Sequence, residues 1–545
     1  MTKSSRIFRY LYCIIVLICI FIGLTFLAKN NLGYTGIWYD EAASFWISQG
    51  LHQYSKIKEP TKGLRAVVFA NRFANLDPGG YSILLHYWTK IDKGIVWLRL
   101  SAFIFFLVFV GFLGLIAWEW TRSLRFSALS MALPFLFDPA IYFATEIRAY
   151  SMEIAGIAVG TFVLNRVFRN PSIKNLLILG FVCAAFLSSR YSYIVFVGSV
   201  CCSYLIFLIR QPREKRLSLI PVFLGFLLPI LVSGLFIYKF TLSRFIEYSL
   251  VKTTPELLAP DYVQAWILKG KSFGESLNLL KENFRSLYSL PIVISILVLI
   301  SRWPISRFLL ERYSTKIIPS RNRPDLIPFY WMILSGQVSS ILLSVFGFYP
   351  WNVDTRWSLY LIAFSIIAVV LLIAEVIWIF RALGEWKYTN QIRDLGWAVS
   401  LTMIIALGVA SYHASSFRHI FWVDLGPPTE YLNSIPLTKG SVLVTHYEIP
   451  TLRYLYEFGP YTNNDKYPDV FRFEQRSEAE LNEIIDVNKE QIRYVLTPQS
   501  PEEISKRIAG AKVQKLENGP PYLLEVVKRV HADHQRALKH NDDDD

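Results

Sequence analysis

Two adjacent carboxylates, Asp40 and Glu41, follow Trp38 and Tyr39 a few residues beyond the first long apolar run. An ionised carboxylate partly withdrawn from water is costly unless something pairs with it. Acids where a chain leaves a bilayer therefore need a partner or a task. The task open to such a group is general-base catalysis, in which it takes the proton of a reacting hydroxyl. The alternative is a solvated loop acid beside an aromatic belt, because Trp and Tyr suit the headgroup boundary. A second set of ionisable residues falls in the short connection 138–150, where Glu146 and Arg148 precede Tyr150, with Glu153 one turn further on. Ionisable residues at membrane depth are functional candidates by default, although a Glu–Arg pair can also merely stitch a helical hairpin. Arg190 and Arg356 stand in two further connections too short to be free loops. Something anionic would justify all three arginines. An acid of the same chain, such as Asp354 or Glu146, is one candidate, and a lipid phosphate gripped by paired guanidinium hydrogen bonds is the other.

The elements that must position these residues are membrane spans. Of the 545 residues, 53% are hydrophobic and 15% aromatic, and the mean hydropathy is +0.35, too apolar for a soluble chain of this length. Apolar runs fall near 10–28, 95–118, 127–143, 149–165, 175–189, 192–209, 218–238, 287–301, 327–347, 357–380 and 395–411, giving an expectation of about eleven spans. The first run follows Lys3, Arg6 and Arg9 and has no small-residue cleavage site, so it reads as an uncleaved span. The net charge of +14 does not point to nucleic acid, because the basic residues lie in clusters between apolar runs. Those clusters, at the N-terminus and near 122–125, 166–174, 210–216, 302–323 and 381–393, alternate with short connections holding only Arg148, Arg190 and Arg356. The bias predicts a cytoplasmic N-terminus and places the loops 29–94 and 239–286 and everything after 412 outside. The five cysteines all lie inside apolar runs, which argues against disulfides and thiolate metal sites.

The outer loop 29–94 carries two weakly amphipathic stretches, near 40–50 and 62–75, suited to lying along a membrane surface. The sequence Asp77-Pro78-Gly79-Gly80-Tyr81 then makes a tight turn. From 412 onward, segments rich in β-formers (441–445, 491–497, 522–527) alternate with helical patterns at 428–435, 477–489 and 501–508, as in a small α/β domain. His446 ends one such strand, a place suited to ligand contact and equally to plain polar surface. The expected architecture is thus an α-helical polytopic membrane domain over 1–411 and an extracytoplasmic α/β domain over 412–545.

Four elements together resemble the membrane glycosyltransferases of the C structural class, in the branch related to protein O-mannosyltransferases and the lipid A aminoarabinose transferase. They are Tyr39-Asp40-Glu41 in the first outer loop, the Pro78-Gly79-Gly80-Tyr81 turn, the series Pro139, Tyr142, Glu146, Arg148 and Tyr150, and Arg356-Trp357-Ser358-Leu359-Tyr360. The resemblance covers nearly the whole chain. One departure is that Asp77-Pro78-Gly79-Gly80 stands where relatives usually show His-Pro-Pro, so any donor contact made by that His is not carried over.

The resemblance implies a bacterial, multi-pass inner-membrane enzyme that moves a sugar from a polyprenyl-phosphate donor to a hydroxyl of a glycan, lipid or protein, with inversion. By the same likeness Asp40 is the general base, with Glu41 beside it in the catalytic pair. Arg356, Arg190 and Arg148 are the donor-phosphate cations, since a leaving phosphate gains charge and needs fixed cations. Asp77, Tyr81, Glu146, Tyr150 and His446 would support the substrates. No metal ligand is assigned and no cofactor is required, with a divalent cation left open; membrane lipids are the expected surroundings. The competing class is a transporter, or a flippase or ligase for lipid-linked glycans.

Overall fold

The structure is a computed structural model, and it describes residues 14, 18, 20–25, 32, 37, 39–51, 61–74, 77–242, 271–285, 292–300, 325–346, 351 and 359–384, together with five C-terminal strands. Three short helices lie in the loop 29–94: α1 (Tyr39–Ser48), α2 (Leu64–Ala74) and α3 (Gly80–Trp88). A helical bundle follows, made of α4 (Ile95–Thr121), α5 (Leu124–Ala132), α6 (Asp138–Tyr142), α7 (Tyr150–Arg169), α8 (Ile173–Leu187), α9 (Tyr193–Ile209) and α10 (Arg213–Ile237). Further on come α11 (Phe273–Arg285), α12 (Ile327–Val345) and α13 (Leu359–Gly384).

Five described helices are long and apolar enough to cross a membrane: Ile95–Thr121, Tyr150–Arg169, Arg213–Thr241, Ile327–Val345 and Leu359–Trp378. Shorter apolar helices lie at Leu124–Leu136, Ile173–Leu187 and Tyr193–Ile209. The chain is a multi-pass membrane protein. Helical residues at 20–25 and 292–300 fall in two more of the expected runs, and the run 395–411 lies outside the described residues. The expected span 127–143 is not one helix. It breaks into α5, a 3-10 turn at Leu133–Leu136 and α6, because Pro134 and Pro139 each lack the N–H that a continuing helix would use.

Within the bundle, α4 packs against α7, α8 against α10 and α9 against α12, while α13 lies against both α4 and α7. The helices α7 and α13 are buried nearly all round, and α10 is open along most of its length, as suits a helix facing lipid. Arg122 ends α4 in a left-handed conformation (φ 52°), its N–H bonding to the Trp118 carbonyl. Ser123 then caps α5 by accepting from the Phe126 N–H, and the hairpin closes in two residues.

The helices α1, α2 and α3 pack on one another. Both amphipathic stretches are helical as expected, but α1 is not a surface helix. Residues 41–51 are all buried, because α2 and α3 cover it. A polar knot holds its far end, with Gln49 Nε2 donating to Thr89 Oγ1 at 2.9 Å and His86 Nδ1 lying 2.8 Å from the Ser48 carbonyl. The end of α3 is pinned to the start of α4 by Trp88 and Trp97. Their rings stack at 4.5 Å and each indole N–H donates to the other's carbonyl, at 2.7 and 3.1 Å.

The five strands, β1 (Val442–Thr445), β2 (Asp469–Arg472), β3 (Arg493–Leu496), β4 (Ala511–Lys515) and β5 (Leu523–Arg529), form one sheet in the order β2-β1-β3-β5-β4. The β1 strand pairs in parallel with β2 and β3, while β5 runs antiparallel to β3 and β4. Three strands coincide with the expected segments. The other two, β2 and β4, lie outside the expected segments; β2 has a charge at each end of its four residues, and β4 carries two lysines in five. The helical patterns expected between the strands lie outside the described residues.

Candidate functional site

The residues singled out in the sequence converge at one end of the bundle, where α1 and three interhelical connections meet. Asp40 and Glu41 occupy the first turn of α1, a favourable place for carboxylates because helix N-termini carry partial positive charge. Their side chains then diverge, as neighbours on a helix must. Glu41 turns inward to Arg99, one turn into α4. Arg99 Nε donates to Oε1 at 3.2 Å and Nη2 to Oε2 at 2.9 Å, and both side chains are about 95% buried, at 6% and 5% exposure. The Ile147 N–H adds a third bond to Glu41 Oε1 at 3.1 Å. Glu41 thereby fastens α1 to α4 and to the connection before α7.

Asp40 points the other way and keeps 19% exposure; Arg148 Nη2 lies 4.0 Å from its Oδ2. Arg148 comes from the tight connection between α6 and α7, where its own N–H bonds to the Glu146 carbonyl at 2.6 Å. Its Nη1 donates to Ser44 Oγ, one helical turn beyond Asp40, at 3.2 Å. Burial opposes the Arg148 charge, but Asp40, Tyr150, Asp77 and Glu146 around it more than offset this and hold its pKa above the usual arginine value.

Arg190, in the connection between α8 and α9, is 3% exposed. Its Nη1 donates to Glu153 Oε2 at 3.3 Å, and Ser192 Oγ donates to the other oxygen of Glu153. Asp77 lies between the two arginines, with Oδ2 3.7 Å from Arg148 Nη2 and Oδ1 3.5 Å from Arg190 Nε. The Tyr150 ring faces both cations, 5.8 Å from Arg148 Cζ and 4.4 Å from Arg190 Cζ, a cation–π arrangement that helps fix their separation.

The Pro-Gly-Gly turn now has a physical account. Gly79 adopts φ +99°, and a Cβ on Gly80 would lie 2.3 Å from Ser188 Oγ and 2.6 Å from the Ser188 carbonyl oxygen. The Gly80 N–H donates to that carbonyl at 2.8 Å. Only glycine lets this turn sit directly on the end of α8, which brings Asp77 beside Arg190. Asn71 of α2 steadies the turn, its Nδ2 donating to the Asp77 carbonyl at 2.9 Å while its Oδ1 accepts from Ser82 Oγ at 2.8 Å. Tyr81, next in the chain, is 2.9 Å from Ser101 Oγ. Ser101 donates to the Leu98 carbonyl at 2.6 Å, so the Tyr81 hydroxyl is the donor to Ser101. Burial, chiefly, pushes the Tyr81 phenol above its usual pKa.

The chain is similar to ArnT. The crystal structure of ArnT from Cupriavidus metallidurans bound to undecaprenyl phosphate aligns at a TM-score of 0.47 and 10% identity, covering 96% of this chain and 98% of that one. The apo form of the same protein aligns at 0.47 and 12%, covering 96% and 99%. Arabinosyltransferase EmbB from Mycobacterium smegmatis, solved by cryo-electron microscopy, aligns at 0.39 and 14%, over 74% of this chain and 37% of that one. No family model and no curated protein sequence matches the chain.

Of the expected site residues, Asp40, Glu41, Asp77, Tyr81, Glu146, Arg148, Tyr150 and Arg190 lie in this one region. Arg356 and His446 fall outside the described residues. Arg99, Asn71 and Ser192 join the cluster without having been singled out, and Glu153, noted beforehand as an ionisable residue at membrane depth, joins it through Arg190. Arg99 in particular is a cation of this cluster that lies inside α4 rather than in a short connection. It was hidden inside an apolar run, although an arginine in a span with one other charged residue, Glu119, is itself a signal. Among the described residues, no group of three or more His, Cys, Asp or Glu side chains is placed to hold a metal ion.

Proposed function

We propose that the chain is an inverting glycosyltransferase that moves a sugar from a polyprenyl-phosphate donor to an acceptor hydroxyl on the outer face of the membrane. The observation that supports this best is the placing of a partly exposed carboxylate, Asp40, beside Arg148, which shares the Asp77 carboxylate with a second, buried guanidinium, Arg190. Displacement of a phosphate by a hydroxyl needs such a set: a base at the attacking oxygen and fixed cations where charge grows on the leaving group.

In this reading Asp40 takes the acceptor proton as its oxygen bonds to the anomeric carbon. The bond from that carbon to the phosphate oxygen breaks, and the electron pair leaves with the polyprenyl phosphate. Arg148 and Arg190 stabilise the second negative charge appearing there, with Arg356 assigned the same duty from its sequence motif. Glu41 serves mainly as the brace that aims α1, since its carboxylate is taken up by Arg99 and the Ile147 N–H. Tyr81, Tyr150 and Glu146 shape the surroundings, and His446 is a candidate contact for the acceptor. The orientation follows the Lys/Arg bias, with the N-terminus cytoplasmic, about eleven spans, and the sheet after 441 part of an extracytoplasmic domain over 412–545 in a bacterial inner membrane.

Purified protein supplied with a labelled polyprenyl-phosphate sugar and candidate acceptors tests the reading. A transferase releases polyprenyl phosphate and labels an acceptor. Movement of the intact donor across a vesicle membrane with no bond broken would instead establish a transporter.

A further inference from the structure

Asp77 lies between Arg148 and Arg190, the two cations that the transferase reading gives to the donor phosphate. Its contacts to Arg148 and Arg190, 3.7 and 3.5 Å, are longer than the roughly 2.7–2.9 Å of a well-made guanidinium–carboxylate hydrogen bond. Charge holds it there, yet a two-oxygen carboxylate is too narrow to seat against both cations at once. Each arginine is anchored elsewhere, Arg148 on Ser44 Oγ at 3.2 Å and Arg190 on Glu153 at 3.3 Å. Both guanidiniums can therefore keep their places if Asp77 withdraws. The turn that carries Asp77 is fixed, by the Asn71 bond to its carbonyl and by the Gly80–Ser188 contact. Only the short side chain is left to swing.

We propose that Asp77 is an internal stand-in for phosphate: its carboxylate fills the anion seat between Arg148 and Arg190 when no donor is bound, and the phosphate group displaces it. This rests on the transferase reading and deepens it, by naming the residue that sets donor affinity and product release. Two neighbouring cations facing an empty seat repel each other; Glu153 and Asp40 offset part of that repulsion, and Asp77 offsets it between them in the resting enzyme. A phosphate, with more oxygens and a wider spread, reaches both guanidiniums at hydrogen-bond distance. After transfer, the returning Asp77 carboxylate competes with the polyprenyl phosphate and helps to expel it. The exchange breaks no covalent bond and needs no co-reactant.

The test uses the full chain in detergent, with polyprenyl phosphate and inorganic phosphate as separate probes, and the variants Asp77→Asn and Asp77→Glu. Asp77→Asn removes the competing charge, so polyprenyl phosphate should bind about tenfold more tightly, as expected when a like charge is taken from an anion site. Multiple-turnover transfer should slow because product leaves late. Asp77→Glu keeps the charge with a longer reach, fills the seat better and should weaken binding. The same pattern with inorganic phosphate shows that the headgroup alone displaces Asp77; the pattern with the lipid only shows that the tail must deliver it, and either result supports the exchange. Unchanged or weaker binding in folded Asp77→Asn, with wild-type binding intact, overturns the stand-in role and leaves the transferase reading standing. If Asp77→Asn does not fold, Asp77→Glu decides alone, and equal or tighter binding overturns the proposal. Absence of polyprenyl-phosphate binding in wild type and variants alike removes both.

Discussion

Replacing Arg99 by methionine separates a brace from a base at Glu41. The substitution keeps an apolar chain of similar length in α4 but removes the hydrogen bonds of 3.2 and 2.9 Å to the Glu41 carboxylate. Hydrogen bonds to charged groups are worth about 1.5–3 kcal/mol each, and deleting one member of a buried ion pair costs about 3–5 kcal/mol. The Ile147 N–H, at 3.1 Å, stays with Glu41 and offsets part of the loss. The expected destabilisation is therefore near the lower bound, about 3 kcal/mol. It should appear as earlier thermal unfolding of the purified protein in detergent. Activity should fall as well, because α1 loses its tie to α4 and a misplacement of about 1 Å near the chemistry costs on the order of a hundredfold.

The informative comparison is the double variant Glu41→Gln/Arg99→Met. It removes the stranded charge, while the carbonyl oxygen of the substituted amide side chain can still accept from the Ile147 N–H. Much of the stability and part of the transfer rate should return, since replacing both partners of a buried pair is far less costly than removing one. The assays are thermal unfolding and sugar transfer at saturating donor on the same preparations. Two results would refute the reasoning. One is an Arg99→Met protein as stable and active as wild type. The other is a fully stable Glu41→Gln protein with no transfer, which would make Glu41 the base.

Asp40→Asn should lower transfer about a hundred- to ten-thousand-fold while donor binding changes little; near-normal turnover in that variant removes Asp40 from the chemistry. Gly80→Ala places a Cβ 2.3 Å from Ser188 Oγ, an overpacking worth about 1–3 kcal/mol, and should lift the Asp77 turn away from Arg190 and change polyprenyl-phosphate binding. Gly63→Ala, with nothing within 4 Å of the added carbon, is its control, and equal behaviour of the two would discount the turn. Single cysteines introduced near Arg213 and Asn464 should react with an impermeant reagent in intact cells only at the Asn464 site; the reverse pattern inverts the topology.

The elements of the fold that depend on local chemistry could be seen in the chain alone. Long apolar runs cannot stay in water, so α4, α7, α10, α12 and α13 follow from hydropathy. Pro78-Gly79-Gly80 announced a turn, and three of the five strands showed their β-forming residues. Asp40, Arg148 and Arg190 stood out because charge at membrane depth needs a reason. What the sequence did not contain was the pairing. The Glu41–Arg99 contact joins residues 58 apart, and although Asp40 was already the expected base, only the packing of α1 against its neighbours shows what Glu41 does, turning its carboxylate inward and leaving Asp40 partly exposed. Asp77 meets Arg148 and Arg190 only because three separate connections end at the same place, which is decided by how α3, α7 and α8 pack rather than by any residue's own preference. Composition specifies which segments leave water and which residues are costly to bury; the partners that offset that cost are chosen only when the helices come together.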